Sequence, residues 1–251
     1  MSGIGKRGGV NAKGPLSPNK LAVFDIDGTL VHSLAADTAC FVQAFADALG
    51  IDDIDTDWAR YDHTTDPGIT EQLFHERLGR APRDDEVARI QARFVELLDA
   101  AAERVDAYPA LPGAAKALRR LAANGQWAVA LATGAWRACA LLKLGRAGLD
   151  VAGLPAAYGE DGPSRDGIVG AAIGRARERY GVDGFTRTVS VGDAVWDVRA
   201  AARLGLAFVG IGAGEPAARL RADGVSHVVP DFVDTERFFA ALEEATVPLS
   251  G

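Results

Sequence analysis

Three short segments carry the residue types and spacings that could do chemistry. Asp25-Ile26-Asp27-Gly28-Thr29-Leu30 sets two carboxylates one residue apart before a turn-forming glycine. Val191-Gly192-Asp193-Ala194-Val195-Trp196-Asp197 sets two more four residues apart, one turn of helix. Between them Leu131-Ala132-Thr133-Gly134 offers a hydroxyl and backbone N–H groups, a natural place to hold one oxygen of a phosphate. Each segment closes an apolar run, so Asp25, Asp27, Thr133 and Asp193 are expected at strand ends around one crevice. Clustered carboxylates repel one another unless a cation sits among them, and hard oxygen ligands of this kind suit Mg²⁺. Each segment also has a plainer reading. The first could be an acidic turn, although the third Asp/Asn and distant Glu of a calcium loop are missing; Thr133-Gly134 could be an ordinary strand exit; Asp197 could simply cap a helix.

The elements that must position these groups follow from the apolar pattern. Runs at residues 21–25, 127–132, 188–192, 206–211 and, more weakly, 226–229 are nearly continuous rather than alternating, as in strands covered on both faces. Helical spacing over 113–123, 169–180 and 197–204, the last ending at Gly205, alternates with the later strands. The fold class is therefore α/β, a Rossmann-like parallel sheet. Residues 25–127 are far too many for one crossover. Helical periodicity over 36–49, 70–78 and 84–102 predicts an all-helical insert spanning 34–108, with Pro109, Pro112 and Gly113 punctuating the return. The core domain is then 20–33 and 109–251.

Composition narrows the classes. The chain has 251 residues, 48% hydrophobic and 24% charged, which is globular usage. The net charge of −7 disfavours a nucleic-acid partner. No apolar run reaches the length of a membrane helix and the start lacks the apolar stretch of a signal peptide, so a cytoplasmic protein without a membrane partner is expected. Residues 1–19 read as a disordered, basic, glycine-rich tail. Cys40 and Cys139 fit no disulfide or metal pattern and are expected as small buried hydrophobes.

The ordered set D-x-D-G-T-L, strand-end hydroxyl, basic residue and G-D-x-x-x-D resembles the haloacid dehalogenase (HAD) superfamily, over about residues 20–230. The insert is similar to the C1 cap of its phosphoglycolate phosphatase-like members. The resemblance implies Asp25 as a nucleophile that forms an aspartyl-phosphate, Asp27 as general acid/base and Thr133, with Gly134, as phosphate-binding. It further implies a Mg²⁺ held by Asp25, the Asp27 backbone carbonyl, Asp193 and Asp197. The basic position departs from the common Lys-Pro: Arg165 lies at the expected place, and Lys143, on the helix after Thr133, competes with it. A guanidinium can balance phosphoryl charge as an ammonium would.

Within the superfamily, Asp27 argues against dehalogenases that attack carbon, and the absence of lysine between Leu21 and Ala115 leaves no Schiff-base amine. A Mg²⁺-dependent phosphatase of a small phosphorylated metabolite is the leading expectation, a monomer or homodimer. The alternatives are a phosphomutase and a non-catalytic HAD-like binding protein. A dinucleotide-dependent oxidoreductase fails because the opening turn has no G-x-G-x-x-G. Substrate contacts are expected from the polar loop 61–68, through His63, Thr65 and Asp66. His32 and Ser33 could line the entrance, and Trp136 the pocket wall.

Overall fold

In a computed structural model, residues 18–103 and 108–249 are described. Six parallel strands form the sheet: β1 (Lys20–Phe24), β2 (Trp127–Ala132), β3 (Ala156–Ala157), β4 (Arg187–Gly192), β5 (Ala207–Ile211) and β6 (His227–Val229). Their order is β3-β2-β1-β4-β5-β6. The chain builds outward from β1 on one side, then crosses to its other side with β4, so the strand order reverses beside β1. Open α/β sheets bind their ligands outside the carboxyl ends of the strands at such a point.

The continuous apolar runs are explained by burial on both faces. In β1, Leu21 and Val23 pack beneath one helix layer with Ile168 and Ala172, whereas Ala22 and Phe24 face the opposite core with Leu121 and Phe238. The first layer centres on α6 (Arg165–Tyr180), the second includes α4 (Ala114–Asn124) and α9 (Thr235–Glu244); α5 (Arg137–Arg146), α7 (Val195–Leu204) and α8 (Gly214–Ala222) complete the later crossovers. The two-residue edge strand β3, absent from the sequence expectation, is too short to show a pattern of its own.

Between β1 and β2 lie α1 (Leu34–Leu49), α2 (Asp66–Leu78) and α3 (Asp84–Ala102). Phe41 and Phe94 meet edge to face, centroids 5.5 Å apart, joining α1 to α3. The outgoing and returning chains are tied together: Leu111 N donates to Leu30 O and His32 N to Pro109 O. α2 begins four residues before the apolar spacing suggested. The Thr65 hydroxyl accepts from Gly68 N and Pro67 occupies the first turn, so the last three residues of the expected 61–68 loop are helix. Likewise Ser164 caps α6, which starts at Arg165 rather than at 169.

The proposed tail lies largely outside the described residues, although Asn19 already pairs with Gln126 and Thr186 beside the sheet. Both cysteines are buried and form no disulfide. No helix among the described residues is long and apolar enough to cross a membrane.

Candidate active site

The backbone after β1 turns sharply because the Ile26 carbonyl accepts from Leu30 N and Val31 N, with Gly28 at φ 80°. That turn brings the chain against the end of β4. A Cβ at position 28 would lie 2.2 Å from Asp193 Oδ2, so glycine is required by space as well as by conformation. The same turn aims Thr29 Oγ1 at Asp193 Oδ1, 3.1 Å away.

Asp25 leaves β1 with its N–H on the Val191 carbonyl and its carboxylate 5% exposed. Arg165, on the first turn of α6, reaches it: Nη2 donates to Asp25 Oδ1 at 2.7 Å and to Asp197 Oδ1 at 2.7 Å, with Nε on Asp197 Oδ1 at 3.0 Å. Carboxylate oxygens of Asp25, Asp193 and Asp197 all lie within 4.8 Å of one another. Two of these three carboxylates share the Arg165 guanidinium. Burial, and the nearby Asp197 and Asp27 charges against the pull of Arg165, push Asp25 up to about 7. Burial, then Asp25 and Asp197, raise Asp193 well above the usual carboxylate range. Such destabilised, all-oxygen donors fit a hard divalent cation, which would relieve their mutual repulsion. Asp197 also sits at the start of α7, its Oδ2 3.4 Å from Ala194 N, so the capping reading and the cluster reading hold together.

Asp27 faces elsewhere. Its Oδ1 accepts from Ser33 Oγ at 2.5 Å and pairs with Lys143 Nζ at 2.6 Å. Its side chain is therefore outside the carboxylate triad, which leaves only its backbone for the cation. Lys143, fully buried on α5, also meets Asp37 of α1 at 2.5 Å. Burial opposes its charge, yet Asp27, Asp37 and Asp66 hold it protonated beyond the usual lysine range. The two candidate basic residues are thereby separated: Arg165 on the first aspartate, Lys143 on the second.

Thr133 is buried at the end of β2 and its Oγ1 accepts from Ala135 N. Gly134 lies where the insert comes down. A Cβ there would be 2.7 Å from Thr64 O and 2.9 Å from Arg165 Nη1. Asp66 N donates to Gly134 O, and Trp136 N donates to Asp66 Oδ2 at 2.8 Å, clasping α2 to the loop after β2. Burial and Asp37 push Asp66 up to about 8, against Lys143. Beneath this clasp is a cavity of about 90 Å³, bounded by Asp25, Asp27, Thr133, Gly134 and Arg165 on the core side.

Of the three loop residues expected to meet substrate, only Asp66 borders this cavity. Thr65 is occupied in capping α2, and His63 is exposed beside an adjacent outer cavity with Arg199 and Arg203. His32 is exposed; Ser33 is buried against Asp27; the Trp136 ring packs on Phe41 and Phe94. Sequence reasoning missed Asp37, Phe41 and Trp58 as cavity walls. For Asp37 a signal exists: an acid on the apolar stripe of α1, in register with Cys40 and Phe41.

The family model of the haloacid dehalogenase-like hydrolases matches residues 19–205. The chain belongs to this family. Similar solved structures include a hydrolase from Pseudomonas syringae (22% identity, TM-score 0.67, covering 90% of this chain and 99% of that one). A predicted phosphoglycolate phosphatase from Haemophilus somnus is 20% identical (TM-score 0.61; 90% and 100% covered). CbbY from Rhodobacter sphaeroides, in complex with phosphate, is 21% identical (TM-score 0.56; 85% and 95% covered). No curated protein matches. At these identities the structural likeness concerns the fold of the hydrolase, and its chemistry rests on its own residues.

Proposed function

We propose that this hydrolase is a phosphatase that removes the phosphoryl group from a small phosphorylated metabolite through an aspartyl-phosphate on Asp25. The observation that carries the reading is the Asp25 carboxylate at the strand-order reversal, paired with Arg165 and grouped with Asp193 and Asp197. Asp25 Oδ attacks phosphorus, the bond from phosphorus to the leaving oxygen breaks, and Asp27 gives that oxygen a proton. Water then attacks phosphorus as Asp27 takes its proton, and the bond to Asp25 breaks, releasing phosphate. Thr133 and the Gly134 backbone hold phosphoryl oxygens, while Arg165 favours the ionised form of Asp25 and offsets the charge of the transferring group. Asp25, Asp193, Asp197 and the Asp27 carbonyl would hold Mg²⁺, which when bound supplies further charge neutralisation at the phosphoryl oxygens.

The insert supplies the lid, with core at 20–33 and 109–251 and insert at 34–108. Its clasp through Asp66 leaves a space of about 90 Å³, room for roughly 6–9 water-sized groups. That suits a small phosphomonoester without nucleic-acid or membrane partners. The test is phosphate release from a panel of small phosphoesters with Mg²⁺ added and then chelated. Activity that requires Mg²⁺ and disappears in Asp25→Asn is expected; no release from any ester, or release unaffected by Asp25→Asn, would overturn the reading.

A further inference from the structure

The part of the cavity that would receive the leaving alcohol is built from the insert, and its chemistry is one-sided. Asp37, Thr38, Phe41, Trp58, Asp66 and Ile69 form this wall. It holds two carboxylates, two aromatic rings and one hydroxyl, and among the described residues no cation. Lys143 lies behind it, already held by Asp27 and Asp37 at 2.6 and 2.5 Å. Arg165 is held by Asp25 and Asp197 on the phosphoryl side. Arg199 and Arg203 border the outer cavity and not this wall, and Arg203 is bound to Asp166.

The charges therefore divide into two groups of similar make-up. Arg165 pairs with Asp25 and Asp197, with Asp193 beside them; Lys143 pairs with Asp27 and Asp37, with Asp66 nearby. In the first group the surplus negative charge fits a divalent ion. In the second it opens onto the space for the leaving group.

We infer that the substrate is a small phosphomonoester whose alcohol carries an ammonium group, received between the Asp37 and Asp66 carboxylates and the Trp58 ring. This rests on the phosphatase reading and specifies its substrate class. A cation entering here meets the Asp37 and Asp66 carboxyl groups, whose ionised forms it favours, and an aromatic face whose electron density attracts it. Trp58 is fixed for this, its Nε1 donating to Thr38 Oγ1 at 3.3 Å and its ring edge-on to Phe41 with centroids 5.6 Å apart. A leaving group with a carboxylate, such as glycolate, would instead meet two acids with no free cation to pair with. A carboxylate beside these acids, with no cation on the same wall, is disfavoured. The space is also the right size: ~6–9 water-sized groups matches a phosphate plus a two-carbon amine.

The experiment compares three esters of similar size on the Mg²⁺-loaded full chain: phosphoethanolamine, the uncharged propyl phosphate, and phosphoglycolate. The expected order of kcat/KM follows that sequence, with phosphoethanolamine roughly 10- to 100-fold above propyl phosphate. Asp66→Asn, which preserves shape and an oxygen for Trp136 N, should bring those two esters together. Trp58→Leu should lower kcat/KM for phosphoethanolamine more than for propyl phosphate. Phosphoglycolate hydrolysed as well as propyl phosphate, or no preference for the amine in the native chain, would overturn the substrate class while leaving the phosphatase standing. Failure of all three esters, and of every other phosphoester tried, would instead overturn the reading beneath it.

Discussion

Arg165→Met tests the geometry most sharply, because it removes one charge and keeps the volume. The guanidinium is 8% exposed and donates to two carboxylates at 2.7 Å. At an effective dielectric near 20, each contact at that distance is worth about 6 kcal/mol before desolvation is counted. Desolvation cancels most of this, and stripping one partner from a buried pair costs about 3–5 kcal/mol. The variant should therefore melt well below the native chain yet regain stability when Mg²⁺ is added, since the cation partly replaces the missing charge. Its kcat at saturating ester should fall by about 10³-fold or more, as when a charge-stabilising arginine is lost from phosphoryl transfer. Arg165→Lys separates charge from geometry. One ammonium cannot reproduce the fork that spans Asp25 and Asp197, so a loss of about 10–100-fold is expected. Near-native kcat in Arg165→Met, with circular dichroism confirming the fold, would refute the placement of Arg165 against the nucleophile.

Lys143→Met should leave Asp27 and Asp37 facing each other without a cation, destabilising by about 3–5 kcal/mol; as a positioning change, it should also move the pH profile of kcat, and a profile unchanged in shape would argue against its hold on Asp27. Gly28→Ala should cost about 1–2 kcal/mol for backbone conformation alone and also weaken Mg²⁺ activation by displacing Asp193, both read from melting and metal titration. Asp66 gives a pH signature. Its folded value of about 8 lies above the ordinary 3.8, so the fold favours its protonated form; that stabilisation is complete below about 4 and is lost as pH rises through 8. Asp66→Asn should therefore gain melting temperature relative to the native chain progressively between pH 4 and 8, and a constant difference across that range would contradict the burial argument.

How far the sequence could be read depended on whether a residue's signal was local. β1, β2, β4 and β5 were legible because burial on both faces leaves an unbroken apolar run, and Asp84–Ala102 because an acidic first turn leads a long amphipathic repeat. The starts of α2 and α6 were missed where Thr65 and Ser164 cap helices whose first turns are polar, so apolar spacing alone placed both too late. The first-strand and fourth-strand aspartates were visible because each directly follows its strand. Asp37 was not singled out, because its pairing with Lys143 joins residues 106 positions apart and depends on how the insert settles on the core. The division of labour between Lys143 and Arg165 was hidden for the same reason: both are basic residues near strand ends, and only the packing of α5 and α6 decides which aspartate each one meets.

In the proposed mechanism Asp25 takes the phosphoryl group onto itself. Quenching the Mg²⁺-loaded hydrolase during turnover of a good phosphoester, reducing with borohydride and mapping the peptides by mass spectrometry tests this directly. Conversion of Asp25 alone to homoserine is expected, absent when substrate is omitted. Modification at a different carboxylate, or steady phosphate release with Asp25 never modified, would contradict it.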